Sequence, residues 1–269
     1  MHDFLAFFLI QVLLLAVILS VHTYLGLHII RRGLIFSDLA LDQLAAFGVI
    51  VGIGIGLEGG TTGSYIVSFL ATFLGAVLLA VVKPKSKHIP REAVIGIIYC
   101  LALVACLMVS DKMTGGMSYV TQTLSGSMLW VTWSLVLVTV AAYILLSVFH
   151  YKYREKIIGI TDKKNVEHEN FWDFMFFLTQ GIITVLIVPI AGVLLAYSFL
   201  MIPAAIGVLF TRGWSQGLLI GWTTGFVASL TGLLFSYFFR LPYGPCLVLA
   251  LGAFFFGALI LRILLPEKV

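Results

Sequence analysis

Residues 4–30 run from Phe4 to Ile30 without one Asp, Glu, Lys or Arg, and residues 93–110 and 128–149 do the same. An apolar run of about 20 residues is what a helix needs to cross the hydrocarbon layer of a bilayer. Inside lipid, backbone polar groups must be satisfied within the segment itself, so runs this long specify helices. The rest of the chain agrees, with 61% hydrophobic and only 10% charged residues. Soluble domains carry about 25% charge, and a fold this poor in it could not cover its surface in water. The expected fold class is an all-α polytopic membrane protein with about 8–9 transmembrane helices, one transmembrane domain over residues 1–269. The first run is too long for a signal-peptide core and no small-residue cleavage site follows it, so it is read as a span.

Nine candidate spans follow: 4–30, 34–57, 64–82, 92–110, 128–149, 172–189, 191–211, 216–239 and 244–264. Pro189 breaks one run and Pro203 interrupts the next, so 172–211 reads either as two spans or as one broken, re-entrant element. With the N-terminus outside, 14 of the 16 Lys and Arg fall on cytoplasmic segments: Arg31, Arg32, Lys83, Lys85, Lys87, Arg91, Lys152, Arg154, Lys156, Lys163, Lys164, Arg212, Arg262 and Lys268. Only Lys112 and Arg240 fall outside. That is the positive-inside bias, and it accounts for the net charge of +4 without a nucleic-acid partner. The longest polar segment, residues 150–173, holds a short helical candidate from Tyr153 to Ile160, ended by Gly159 and Thr161. It reads as a docking site for a cytoplasmic partner or as a solvated connector. His88, His150 and His168 lie on polar segments without partners at metal spacing.

Several chemistries are missing. No GxxxxGK[ST] loop cradles a nucleotide phosphate, and there is no HExxH zinc helix or GxSxG elbow. The glycines of GIGIG (Gly52, Gly54, Gly56) lie in a span, where small residues let helices approach. Cys100, Cys106 and Cys246 lie in apolar runs and read as small hydrophobes. Nothing points to an enzyme or to a permanently bound cofactor.

Against this background SDLALDQLAAFG, residues 37–48, is unusual. Asp38 and Asp42 are four apart and share a helix face. A charge in lipid costs roughly 2.5–3.5 kcal/mol on insertion scales. A cation, a proton or a water-filled path relieves that cost. Three alternatives stand beside a cation path: Asp38 as a helix N-cap, Asp42 paired with Arg31 or Arg32, and both residues at the water interface. Gln11, His22 and Gln180 are further polar residues within spans, each a candidate to line a path or to make a helix contact. Glu92 reads as an interfacial cap and Glu58 as an exposed loop acid.

RRGLIFSDLALDQLAAFG resembles the second-span signature of the permease subunits of bacterial metal-ion ABC importers, which take up zinc, manganese or iron. REAVIGIIYCLALVACLMV, LSGSMLWVTW, YREKIIGIT, WDFMFF, GVLLAYSFLMIPAAIGVLF and LPYGPCLVLALGAFFFG resemble later segments of the same family, in order, over residues 30–260. The resemblance implies a multi-pass permease of the bacterial cytoplasmic (inner) membrane with the type II importer fold, working as a homodimer. Its implied partners are two cytoplasmic ABC ATPase subunits and an extracytoplasmic metal-binding protein. The ATPases would dock on about 150–162, at Tyr153, Arg154, Glu155, Lys156, Ile157, Ile158, Gly159, Ile160 and Thr161. A divalent metal ion would be the transported substrate, with Asp38 and Asp42 on its path.

Members of that family often carry Asp and then His at these two positions; here the second is Asp42. An all-oxygen pair leans toward manganese or ferrous iron and leaves zinc open. The rival reading is a secondary transporter driven by an ion gradient, with the aspartates as proton or sodium sites. A membrane scaffold is a third reading and leaves the aspartates without a purpose.

Overall fold

The computed structural model describes residues 2–84, 88–126 and 133–265. Every regular element among them is a helix: α1 (His2–Arg32), α2 (Phe36–Gly54), α3 (Thr62–Val81), α4 (Arg91–Asp111), α5 (Gly116–Ser125), α6 (Trp133–Lys152), α7 (Arg154–Thr161), α8 (Glu169–Phe210), α9 (Trp214–Phe239) and α10 (Tyr243–Leu264). Eight of these are long and apolar enough to cross a membrane.

α8 decides the topology. Its 42 residues would extend about 63 Å if straight, twice the ~30 Å of a bilayer core. It does not run straight. Gly192 takes φ 76°, ψ 162°, a conformation outside the helix and nearly confined to glycine. Asp173, near the start of α8, is ion-paired to Arg32. Arg212, just past its end, accepts a 2.7 Å hydrogen bond at its carbonyl from Arg31. Both ends of α8 therefore meet the end of α1, and the helix is a hairpin of two arms, each long enough to span. With the broken element resolved into two crossings, the described residues make nine passes. The reversal falls at Gly192 rather than at Pro189, and Pro203 stays inside the second arm.

The bend is held by close backbone contact with the end of α5. A Cβ added to Gly192 would lie 2.3 Å from the Gly126 nitrogen and 2.6 Å from the Leu124 carbonyl oxygen. Gly192→Ala is therefore expected to cost more than about 2 kcal/mol, read as a lower unfolding temperature of the purified protein. Gly252→Ala, where a Cβ meets open space, is the neutral control. Equal unfolding temperatures for the two variants would refute this account of the bend.

α1, α2 and α8 form the buried centre, with α3, α4, α6, α9 and α10 outside them. Large apolar side chains on the outer helices, such as Leu101, Leu145, Phe238 and Leu249, are exposed, as lipid-facing surfaces are. At the tightest point of the α2–α3 crossing a Cβ on Gly48 would lie 2.5 Å from the Ser68 Cα. The close approach thus occurs one turn before GIGIG.

Arg31, Arg32, Lys83, Arg91 and Arg212 gather at one end through shared contacts, while Lys112 and Arg240 cap helices at the other. The basic end is the one that the positive-inside bias assigns to the cytoplasm. Lys85, Lys87 and Lys268 lie outside the described residues, as does most of LSGSMLWVTW.

Several expectations are corrected. α5 is a helix where none was expected, too short and polar to register as a span. α7 continues through Gly159 to Thr161, because its last turns are packed against the bundle. His150 belongs to the last turn of α6 and is buried. Glu92 does cap a helix, but the N-terminus of α2: its Oε1 accepts from the Phe36 N–H at 2.6 Å.

Candidate functional site

Asp38 and Asp42 sit in the first two turns of α2 and are 3% and 1% exposed. That excludes the water interface. Asp38 is not an N-cap, since α2 begins after Ile35 without a side-chain cap of its own. Nor does Asp42 pair with the nearby arginines. Arg32 is held by Asp173, and Arg31 lies over the Trp214 ring at 3.9 Å.

The partners come from the first arm of α8, which runs beside α2 in the same direction. Gln180 Nε2 donates to Asp38 Oδ1 at 2.8 Å, and the Thr184 hydroxyl donates to Asp42. The spacing 180/184 repeats the spacing 38/42, so two helix faces meet in register. Gln180 was legible as a candidate; Thr184 was missed, although its place four residues on marks the same face.

Four oxygens in this region have no hydrogen-bond partner: Asp38 Oδ2, Asp42 Oδ2, Gln180 Oε1 and the Tyr143 hydroxyl. Tyr143, from α6, is within electrostatic reach of both carboxylates. Buried polar atoms are normally satisfied. Here the unsatisfied ones are all oxygen, gathered around two acids that, among the described residues, have no basic side chain paired to them. Among the described residues no three of His, Cys, Asp and Glu stand close enough to hold a metal. The donors present are thus two carboxylates, one amide oxygen and one hydroxyl.

Beyond the pair, toward the end opposite the basic one, lies a cavity of about 1340 Å³. Val49 and Ile53 of α2, Ile182, Val185 and Pro189 of α8, and Tyr119 and Gln122 of α5 are among its walls. The carboxylates are not on its wall. Val49 is seven residues past Asp42, or about 10 Å along the helix, and Ala142, beside Tyr143, is on the wall.

The remaining candidates scatter. His22 is buried, with Nδ1 3.0 Å from the Ile18 carbonyl, and its ring is 5.9 Å from Tyr143. Gln11 is buried. Glu58, His88 and His168 are exposed, and His168 lies 3.6 Å from Glu167. Cys106 and Cys246 are buried and Cys100 is exposed; Gln43 Nε2 lies 3.1 Å from the Cys106 sulfur.

At the basic end, α7 shows Arg154, Glu155 and Lys156 to the outside and buries Ile157, Gly159, Ile160 and Thr161. Tyr153 precedes it as N-cap, and Ile158 is half-buried. Asp173, missed in the sequence, is the centre of this end. Lys83 Nζ and Arg91 Nη2 each lie 2.9 Å from its Oδ2, and Arg32 binds Oδ1. One carboxylate thereby ties α1, the end of α3, α4 and α8 together. The only signal in the sequence is an acid set among the aromatics of WDFMFF.

Comparison with known proteins follows the same lines. The model of the ABC 3 transport family matches residues 5–262. The manganese transport system membrane protein MntC of Listeria innocua is 28% identical over 130 residues, 47% of this chain and 45% of that protein. A "probable metal transport system membrane protein" of Chlamydia trachomatis is 22% identical over 183 residues, 65% of this chain and 61% of that one. The match thus spans less than two thirds of either relative. Among solved structures, PsaBC from Streptococcus pneumoniae in complex with Fab superposes with a TM-score of 0.77 at 19% identity, covering 97% of this chain and 92% of that one. A structure titled "An inward-facing conformation of a putative metal-chelate type ABC transporter" gives 0.66 at 18% identity, covering 93% and 85%. At such identities the likeness is one of fold.

Proposed function

The chain belongs to the ABC 3 transport family, and from that premise we propose that it is the membrane-spanning subunit of an ATP-driven importer for a divalent transition metal ion. The single observation that carries this reading is the carboxylate pair: two acids sealed among apolar helices, with unsatisfied oxygens and, among the described residues, no basic side chain paired to them. An ion of charge +2 offsets both. Relatives described as manganese and metal transport proteins support the same reading.

In this reading the ion enters through the cavity on the outer side and is relayed past Asp38 and Asp42 toward the basic end. Gln180 and Thr184 orient the two carboxylates, each occupying one oxygen and leaving the other to the ion. Binding there must stay weak enough for release. All-oxygen donors suit manganese or ferrous iron better than zinc. Power comes from two separate ATPase subunits docked on α7, since this chain has no phosphate loop of its own. A second copy of the chain completes the path, and an extracytoplasmic metal-binding protein delivers the ion.

Reconstitution tests this. Liposomes holding the chain with its ATPase, supplied with the extracytoplasmic metal-binding protein, are expected to accumulate manganese only when ATP is supplied on the ATPase side. Uptake by the chain alone, driven by a proton or sodium gradient, would replace the importer with a secondary transporter.

A further inference from the structure

α7 must pass any force it receives into the membrane helices, and its packing shows where. Among the described residues, Thr161 is the α7 side chain that hydrogen-bonds to a membrane helix. Its Oγ1 lies 2.6 Å from His28 Nδ1 in α1. The same hydroxyl donates to the Ile157 carbonyl at 3.1 Å. A hydroxyl has one hydrogen, so His28 Nδ1 is the donor to Thr161. His28 is fully buried. Its ring lies 4.5 Å from Trp214, the first residue of α9, and 5.7 Å from Phe176 of α8.

The end of α6, which leads into α7 through Tyr153, is tied in the same way. His150 is three residues before Tyr153, in the last turn of α6. Its Nε2 lies 2.8 Å from Thr179 Oγ1 of α8. The Thr179 hydroxyl donates to the Phe176 carbonyl at 2.9 Å, so here too the histidine donates. His150 Nδ1 faces the Tyr24 hydroxyl at 3.4 Å, and the Tyr24 ring stands between the two imidazoles, 4.6 Å from His28 and 5.4 Å from His150. Thr179 is the neighbour in sequence of Gln180, which holds Asp38. Phe176, touched by both imidazoles, is one helical turn before Gln180.

We propose that His28 and His150 are positioning residues that join the two ends of the α7 segment to the arm of α8 carrying Gln180, so that displacement of α7 moves the carboxylate pair. The inference rests on the importer reading of α7 and adds to it the residues that transmit the motion. Both joints are short, buried and directional. A threonine already bonded to its own helix accepts from a histidine on another. Sliding either element by a turn breaks the bond instead of stretching it.

The test is manganese transported per ATP hydrolysed by the full complex with its ATPase in liposomes, beside the unfolding temperature. Thr161→Val and Thr179→Val keep shape and remove the acceptor. Each is expected to lower transport per ATP by about tenfold, the middle of the usual range for coupling between sites, and Thr179→Val, which lies outside the docking segment, is expected to keep ATP hydrolysis. His28→Asn sets an amide N–H near the position of Nδ1, and His150→Gln sets one near Nε2. Both are expected to retain most coupling, whereas His28→Leu and His150→Leu lose it. The proposal is overturned if the valine variants only unfold at lower temperature while transport per ATP is unchanged, or if the amide variants are no better than the leucine ones. Wild-type complex without ATP-driven uptake overturns the importer reading, and the joint with it. Wild-type coupling that the variants share overturns the joint alone.

Discussion

Cells carrying the Asp38→Asn, Asp42→Asn double variant are expected to accumulate manganese about a hundredfold less than wild type, at equal amounts of protein in the membrane. Two unit charges about 4 Å apart interact by about 4 kcal/mol at an effective dielectric of 20, and a divalent ion doubles that. Much is offset by the cost of stripping water from the ion. A net loss of only about 3 kcal/mol is still a factor of about a hundred. Each single variant is expected to lose roughly tenfold or more by the same arithmetic.

The substitution is clean. Asparagine keeps the size and the oxygen that accepts from Gln180, and it removes a buried charge that has no basic partner. Folding is therefore expected to be unharmed or improved. Asp42→His is the companion variant. An imidazole suits zinc better than a carboxylate does, so the zinc-to-manganese ratio of uptake is expected to rise. Unchanged manganese uptake in the double variant would remove the pair from the mechanism.

Asp173→Asn is expected to act in the opposite way, on stability rather than on transport chemistry. Asp173 is 1% exposed and answers three cations. Removing one partner of a buried ion pair costs about 3–5 kcal/mol, because the other charge is left buried and uncompensated. Arg32 is the partner that matters most, at 7% side-chain exposure. The loss compares with a total stability of about 5–15 kcal/mol for ordinary folds. The variant is expected to be scarce in membranes and to unfold at a much lower temperature after purification. Lys83, at 31% side-chain exposure, is the contrast: Lys83→Met is expected to cost about 1 kcal/mol or less. An Asp173→Asn protein as heat-stable as wild type would show that the four helix ends are held by something else.

These two residue sets mark how far the chain can be read without coordinates. Asp38 and Asp42 stand out because a spacing of four on an apolar helix is a local fact, and so is the cost of a charge there. Gln180 stood out for the same reason. Thr184 did not, because threonine in an apolar helix usually bonds its own backbone, and only the register of α8 against α2 aims it at Asp42. Asp173 and His28 were passed over, and His150 was read only as a histidine of a polar segment, for a related reason. Their partners are 141 residues away for Asp173 and Arg32, 133 for His28 and Thr161, and 29 for His150 and Thr179. No local pattern records such pairings.

The amino-acid order by itself determined that this is a bundle of membrane-crossing helices, which end is basic, how many times the chain crosses within one pass, and which acids are out of place. Each follows from a property of one segment against lipid: length, hydropathy or charge. Only the tertiary structure decided that the doubtful element folds back at Gly192 to make two full crossings, that the aspartates are sealed from water and from arginine, and that α7 is tied to α1 through His28 and the end of α6 to α8 through His150. Those depend on which helix faces lie against one another, a property of pairs of segments that hydropathy cannot encode, since in lipid every apolar face looks alike until it is packed.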